Sequence, residues 1–278
     1  MTIKSPLKWV GSKVRLMPQL RQHLPEGKRL VEPFAGSCSV MLNTDYDEYL
    51  IADVNPDLIH MYRAIQEVPD MFIWQAKGLF ESGNNTSSYY DIRERFNLSK
   101  DVTQLWKAAA FLYLNRHCFN GLCRYNKSGC FNVPFGKYKK PYFPEKELMA
   151  FAEKARRATF ICASYDQTIK MVGAGDVVYC DPPYIPVTPT ANFTQYHTDG
   201  FTAADQEYLS VLLFTLSNRG IPVVASNSDT SQARGFYSCF TLHGLSAQRS
   251  IGAANGAESA AAELLAIRTG RLADGVHL

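Results

Sequence analysis

From Val102 to Pro144 the chain contains no aspartate and no glutamate. The same stretch carries Lys107, Arg116, Arg124, Lys127, Lys137, Lys139 and Lys140, seven of the 29 cations. The rest of the chain therefore holds 22 cations against 26 acids, net −4, although the whole is +3. A near-neutral total conceals one localised positive surface, which points to a polyanionic partner. No C-x-x-C pair occurs among the seven cysteines (Cys38, Cys118, Cys123, Cys130, Cys162, Cys180 and Cys239), and their number is odd. That excludes a disulfide framework and a zinc knuckle, and no metal is expected. Apolar runs long enough to cross a bilayer are absent, and Met1-Thr2-Ile3-Lys4-Ser5-Pro6 lacks the apolar centre of a signal peptide. A cytoplasmic protein without a membrane partner is expected. No internal repeat is visible. With 278 residues, 46% hydrophobic and 20% charged, the composition is ordinary globular and suits a monomer with one sizeable core and an inserted subdomain.

The acid-free stretch interleaves its cations with Trp106, Phe111, Tyr113, Phe119, Tyr125, Phe131, Phe135, Tyr138, Tyr142 and Phe143. Cations meet phosphates and aromatics meet bases, so the segment predicts a nucleic-acid surface, with Phe111 and Tyr113 turned to the core. The alternative is a solvated basic face.

A second feature names a chemistry. Asp181-Pro182-Pro183-Tyr184 follows the apolar run Asp176 to Cys180. The amine of adenine is a poor nucleophile because its lone pair is delocalised into the ring. Asp181 and the Pro182 carbonyl could accept its two N–H bonds, while Tyr184 offers a flat face to a base taken out of a duplex. The two prolines restrict the backbone and remove competing donors. Taken alone, the tetrapeptide is also an ordinary way to leave a sheet.

Short apolar runs predict strands at Arg29–Pro33, Glu48–Asp53, Thr159–Cys162, Val177–Cys180, Ile221–Ser226 and Glu263–Ile267. Pro56 after Asn55 opens a helix, and the patterning predicts others at Met71–Phe80, Ser88–Phe96, Gln104–Arg116 and Thr202–Arg219. Asn120-Gly121, Asn126 to Gly129 and Phe135-Gly136 predict turns of a hairpin that carries Arg124 and Lys127. The small-residue segment 252–262 reads as a mobile loop. The expected fold class is α/β, a sheet with an inserted, mostly helical subdomain carrying a β-hairpin. Residues 1–55 and 145–278 would form the discontinuous catalytic domain and residues 56–144 the insert.

Pro6-Leu7-Lys8-Trp9-Val10-Gly11-Ser12-Lys13, Glu32-Pro33-Phe34-Ala35-Gly36-Ser37, Asp53 and Asp181-Pro182-Pro183-Tyr184 together resemble the DNA adenine-N6 methyltransferases of the Dam family. Leu114-Asn115-Arg116, Asn120 to Asn126, Phe131 to Gly136, Pro141 to Pro144, Thr190 to Thr194 and Arg249-Ser250-Ile251 extend the resemblance over nearly the whole chain. The resemblance implies a class I Rossmann-like methyltransferase sheet whose insert is the target-recognition subdomain, and S-adenosylmethionine as cofactor, held by Trp9, Lys13, Phe34, Gly36, Asp53 and Asp181. It implies double-stranded DNA as partner, read by Lys8, Arg116, Phe119, Asn120, Leu122, Arg124, Pro134, Lys137, Tyr138 and Lys139. Arg124 would meet guanine, Leu122 or Pro134 a thymine methyl, and Phe119 would fill the stack left by a flipped adenine in GATC. Catalysis would fall to Asp181, Pro182, Pro183 and Tyr184.

The chain departs from the family pattern at Ser12 and Cys38, which replace glycines, at Phe119, which lacks the usual phenol hydroxyl, and in the loop after Ile251, which has lost its cations. Weakened cofactor affinity is expected from the first two, and weaker, less processive DNA binding with relaxed site preference from the last. The clamp recognises only an amine on a planar ring. A relaxed-specificity adenine enzyme, a cytosine-N4 or RNA-adenine methyltransferase, and a DNA-binding protein without catalysis are therefore the alternatives.

Overall fold

Runs of β-branched and other apolar residues build the sheet of this computed structural model, which describes residues 2–81, 83–184, 201–248 and 260–269. The strands are β1 (Arg29–Glu32), β2 (Glu48–Asp53), β3 (Ala158–Cys162), β4 (Asp176–Cys180), β5 (Val223–Ser228), β6 (Thr241–Gln248) and β7 (Ala260–Arg268). The helices are α1 (Met17–Leu20), α2 (Ser39–Asn43), α3 (Pro56–Glu67), α4 (Pro69–Glu81), α5 (Thr86–Leu98), α6 (Gln104–His117), α7 (Glu145–Ala155), α8 (Tyr165–Ile169), α9 (Ala203–Asn218) and α10 (Ser231–Phe236).

The strands form a seven-stranded sheet in the order β3-β2-β1-β4-β5-β7-β6. The first five are parallel, and β7 runs antiparallel to both neighbours. This is the expected Rossmann-like α/β fold. Strand order reverses between β1 and β4, so a crevice opens beyond their carboxyl ends. Side chains alternate across the sheet. Leu30, Tyr49 and Val177 join a core with Tyr62, Phe72, Phe111 and Phe151, while Val31, Leu50 and Val178 face Leu209 and Leu213 of α9.

Helix starts follow local chemistry. Asn55 caps α3 by accepting from the Asp57 and Leu58 amides, and Thr103 caps α6 through the Trp106 amide. Thr202 and Asp205 form a reciprocal capping box on α9. Several boundaries differ from expectation. β5 begins at Val223 rather than Ile221, after Pro222, which has no N–H for a ladder. β7 already starts at Ala260, so the end of the expected loop is strand, and residues 252–259 lie outside the described ones. The same holds for the family-like segments 190–194 and 249–251. β6 and α7 were not among the expected elements.

The expected hairpin is present only as two isolated antiparallel bridges, Cys118 with Phe135 and Tyr125 with Phe131. Side chains take the backbone groups a ladder would have used. Asn97 holds both the amide and the carbonyl of Phe131 at 2.8 and 3.0 Å, and Tyr89 and Arg93 donate to the Val133 carbonyl. The tip is closed by Asn126, whose side chain accepts from the Ser128 and Cys130 amides.

Candidate active site and DNA-facing surface

A cavity of about 510 Å³ occupies the crevice beyond β1 and β4. Trp9, Lys13, Phe34, Gly36, Asp53 and Asp181 all line it, so the structure gathers every residue the resemblance assigned to the cofactor. They arrive from four places: the turn before α1, the ends of β1 and β2, and the end of β4. Ser12 and Cys38 do not line the cavity. The Ser12 hydroxyl lies 2.9 Å from that of Ser39, which is 2.7 Å from Ser37, and Cys38 is buried in the αL conformation at φ 54° ahead of α2.

Gly36 has φ +45°, and a Cβ placed there would meet Trp9 Nε1 at 2.9 Å, so only glycine permits this approach. Its amide donates to Asp53 Oδ2 at 3.1 Å, and the Asn55 amide donates to Oδ1 at 2.9 Å. Phe34 stacks on Tyr165, ring centroids 5.5 Å apart, with Phe201 edge-on to both. Among the described residues four acids line the cavity, Glu32, Asp53, Asp181 and Asp205, against one cation, Lys13. Glu32 is only 2% exposed, and its Oε1 has no hydrogen-bond partner among the described residues. Burial pushes its carboxyl up to about 8, opposed by a bond from the Met41 backbone and reinforced by Asp181.

The tetrapeptide is held from several sides. Lys13, 4% exposed, places its ammonium 2.8 Å from Asp181 Oδ2 and 2.9 Å from the Gly11 carbonyl. The Ser226 hydroxyl donates to Asp181 Oδ1 at 2.8 Å and lies 3.0 Å from the Tyr179 hydroxyl. Gln206 donates to the Pro183 carbonyl at 2.6 Å and is itself held by Asn227 at 2.9 Å. The Tyr184 hydroxyl donates to Glu263 Oε2 at 2.8 Å. Burial, with Asp181 and Glu263 nearby, holds the Tyr184 phenol well above its ordinary range, so it stays a donor at neutral pH. The residue types and spacings did not single out Ser226, Tyr179, Gln206 or Glu263. Ser226 had one readable signal, a polar side chain that closes an apolar run, as Asp53 and Asp181 do.

The basic insert displays Phe119, Asn120, Arg124, Pro134, Lys137 and Lys139 on its surface, with Leu122 and Tyr138 half-buried. Phe119 is 50% exposed. Asn120, at φ 55°, donates its amide to the Tyr138 hydroxyl at 2.9 Å, and Lys8 lies 3.7 Å from the Tyr138 ring centre. The Arg124 guanidinium is braced by the side-chain and backbone oxygens of Asn132 at 2.8 and 3.3 Å. Arg116 does not join this surface. It is 8% exposed and its Nε donates to the Pro6 carbonyl at 2.9 Å. Lys107 is likewise committed, to Asp57 at 3.2 Å.

A Rossmann-like sheet with an acid-rich cavity at its switch point and an Asp-Pro-Pro-Tyr segment on the rim suits a methyltransferase of amino groups. The model of the D12 class N6 adenine-specific DNA methyltransferases matches residues 9–251, and the chain belongs to that family. The retron Ec67 DNA adenine methylase of Escherichia coli is 55% identical over 95% of this chain and 91% of its own length. DNA adenine methylases of Serratia marcescens and of Escherichia coli K12 are 51% and 48% identical, each over 94% of this chain and over 97% and 94% of their own lengths. The chain is an adenine-specific DNA methyltransferase. Among the described residues no helix is long and apolar enough to cross a membrane, and no cluster of three or more His, Cys, Asp or Glu could hold a metal.

Proposed function

We propose that the protein methylates the N6 amine of an adenine in GATC of duplex DNA after taking that base out of the helix. The observation that carries this reading is the fixed Asp181 carboxylate, gripped by Lys13 and Ser226 on the rim of the cavity. When bound, S-adenosylmethionine supplies the methyl group as a sulfonium electrophile. The residues present suit such a ligand: an excess of carboxylates for its positive charges, the orphaned Glu32 oxygen, and the close approach that Gly36 allows. Trp9, Lys13 and Glu32 would line its amino-acid end, Asp53 would accept ribose hydroxyls, and Phe34 would cover its flat ring.

Asp181 and the Pro182 carbonyl accept the two N–H bonds of the adenine amine and turn its lone pair toward the cavity. Tyr184 stacks on the extruded base. Gln206 and Asn227 fix the Pro183 carbonyl, which keeps the tetrapeptide backbone in one conformation. Residues 56–144 read the target, with Arg124 on guanine, Leu122 or Pro134 at a thymine methyl, Phe119 in the vacated stack and Lys137 and Lys139 on or near the backbone, where Lys8 of the N-terminal segment joins them. Residues 1–55 and 145–278 carry the chemistry, and the protein acts as a monomer without a metal.

The test is methyl transfer from labelled cofactor to duplexes with GATC, near-cognate sites or no adenine, followed by nucleoside analysis. N6-methyladenine confined to GATC is the expected result. Label spread over other adenines would refute GATC readout by the insert, and N4-methylcytosine would refute adenine as the clamped base. DNA binding without transfer would leave only the non-catalytic reading. Asp181→Ala should abolish transfer and leave DNA affinity largely intact.

A further inference from the structure

We propose that Glu263 is a positioning residue of the amine clamp, holding the far end of Tyr184 from β7 so that the ring stands at a fixed place against the extruded adenine. The proposal rests on the reading above that Tyr184 stacks the target base. The Tyr184 hydroxyl donates to Glu263 Oε2 at 2.8 Å, 79 residues away in sequence. A hydrogen bond at the far end of a tyrosine stops the side chain from swinging about its first torsion, while rotation about the long axis of the ring leaves the hydroxyl oxygen in place and is restrained by what packs on the ring face, here the Lys13 ammonium. Glu263 is a rigid anchor because its strand is paired on both sides, with Ser228 of β5 and Leu245 of β6.

The same carboxylate lies 3.9 Å from the Lys13 ammonium, which sits 4.7 Å from the Tyr184 ring centre and 2.8 Å from Asp181. Lys13 therefore links the group that accepts the amine to the ring that supports the base. Its charge also offsets the cost of an acid that is only 15% exposed. An anionic acceptor on the Tyr184 hydroxyl is stronger than a neutral one, which accounts for a glutamate inside the otherwise apolar run from Ala260 to Ile267.

The experiment measures single-turnover methyl transfer to a GATC duplex for Glu263→Leu, Glu263→Gln, Tyr184→Phe and the double variants of a mutant cycle. Glu263→Leu is expected to slow transfer about tenfold with the KM for DNA unchanged, and Tyr184→Phe by a similar factor. Combining the two should add nothing, because each removes the same bond. Glu263→Gln keeps an acceptor and should stay within about threefold of the parent. Losses that multiply in the double variant, or a glutamine as slow as the leucine, would overturn the proposal. If Glu263→Leu does not fold, Glu263→Ala, which also removes the acceptor, takes its place in the cycle with the same outcomes expected. Tyr184→Ala at the parent rate would instead sink the stacking reading, whatever Glu263 does.

Discussion

Replacing Glu32 by glutamine should remove a pH dependence that the parent protein carries at the base of its cavity. Burial raises the Glu32 carboxyl from an ordinary 4.5 to about 8 in the folded protein. Between those values the folded state holds a proton that the unfolded chain does not. Stability is therefore greatest at the acid end of the window and falls as pH rises toward 8. Integrated from pH 6 to pH 8, the loss is about 2 kcal/mol, or about 5 °C in melting temperature for a chain of this size. The amide of Glu32→Gln cannot ionise, so the melting temperature of the variant relative to the parent should climb across that interval. The assay compares the unliganded proteins step by step from pH 6 to pH 9, so that all other titrating groups cancel. Parallel curves would refute the argument. A cationic ligand favours the ionised carboxylate, so cofactor binding to the parent should release a proton and tighten as pH rises toward 8. Calorimetry in buffers of different ionisation heat reads that proton, and the glutamine variant should release none.

Ser226→Ala removes a donor to the Asp181 carboxylate and should lower kcat roughly ten- to hundredfold, since a hydrogen bond to a charged group is worth about 1.5–3 kcal/mol; an unchanged kcat would show that Lys13 alone positions the acid. Arg124→Lys loses the planar fork that Asn132 holds and should reduce discrimination for guanine by about 1–3 kcal/mol, measured as relative kcat/KM on duplexes altered at that base pair. Lys139→Ala should flatten the salt dependence of DNA affinity by about 0.9 in log K against log salt. Lys107→Ala should leave that slope alone, because Lys107 is spent on Asp57.

What the sequence made legible was chemistry that is contiguous in the chain. Asp53 and Asp181 end apolar runs, Gly36 sits in a small-residue turn, and the parallel strands could be read from their β-branched composition. What stayed hidden depends on partners distant in sequence. Ser226 reaches Asp181 across 45 positions and Glu263 reaches Tyr184 across 79. β6 has the unpromising sequence TLHGLSAQ and becomes a strand by pairing along β7. Charge type was visible but its use was not. Arg116 looks like a phosphate ligand in sequence, yet its guanidinium serves a carbonyl 110 residues away. Cys38 stands where the resemblance expects a glycine, yet it is buried in the αL conformation and is not among the residues that line the cavity.

On the proposed reading, recognition and chemistry share one frame. Asn115 of α6 accepts from the Lys8 amide and donates to the Lys8 carbonyl, both at 2.8 Å, and also donates to the Gly121 carbonyl at 3.1 Å. With Arg116 on Pro6, the helix grips the segment that leads into Trp9 and Lys13. On the other side Tyr125 donates to Asp57 at 2.8 Å and Asn55 to the Cys123 sulfur at 3.4 Å. That ties the residues flanking Arg124 to the turn just after Asp53. The base-reading loop is therefore joined to both walls of the cavity. A displacement of about 1 Å at reacting groups can cost a hundredfold in rate. A duplex that seats poorly against Arg124 pulls on the frame that holds Lys13 and Asp53. Part of the selection among sequences then falls on the rate of transfer rather than on affinity, which allows a surface with only a few exposed cations to discriminate without binding tightly.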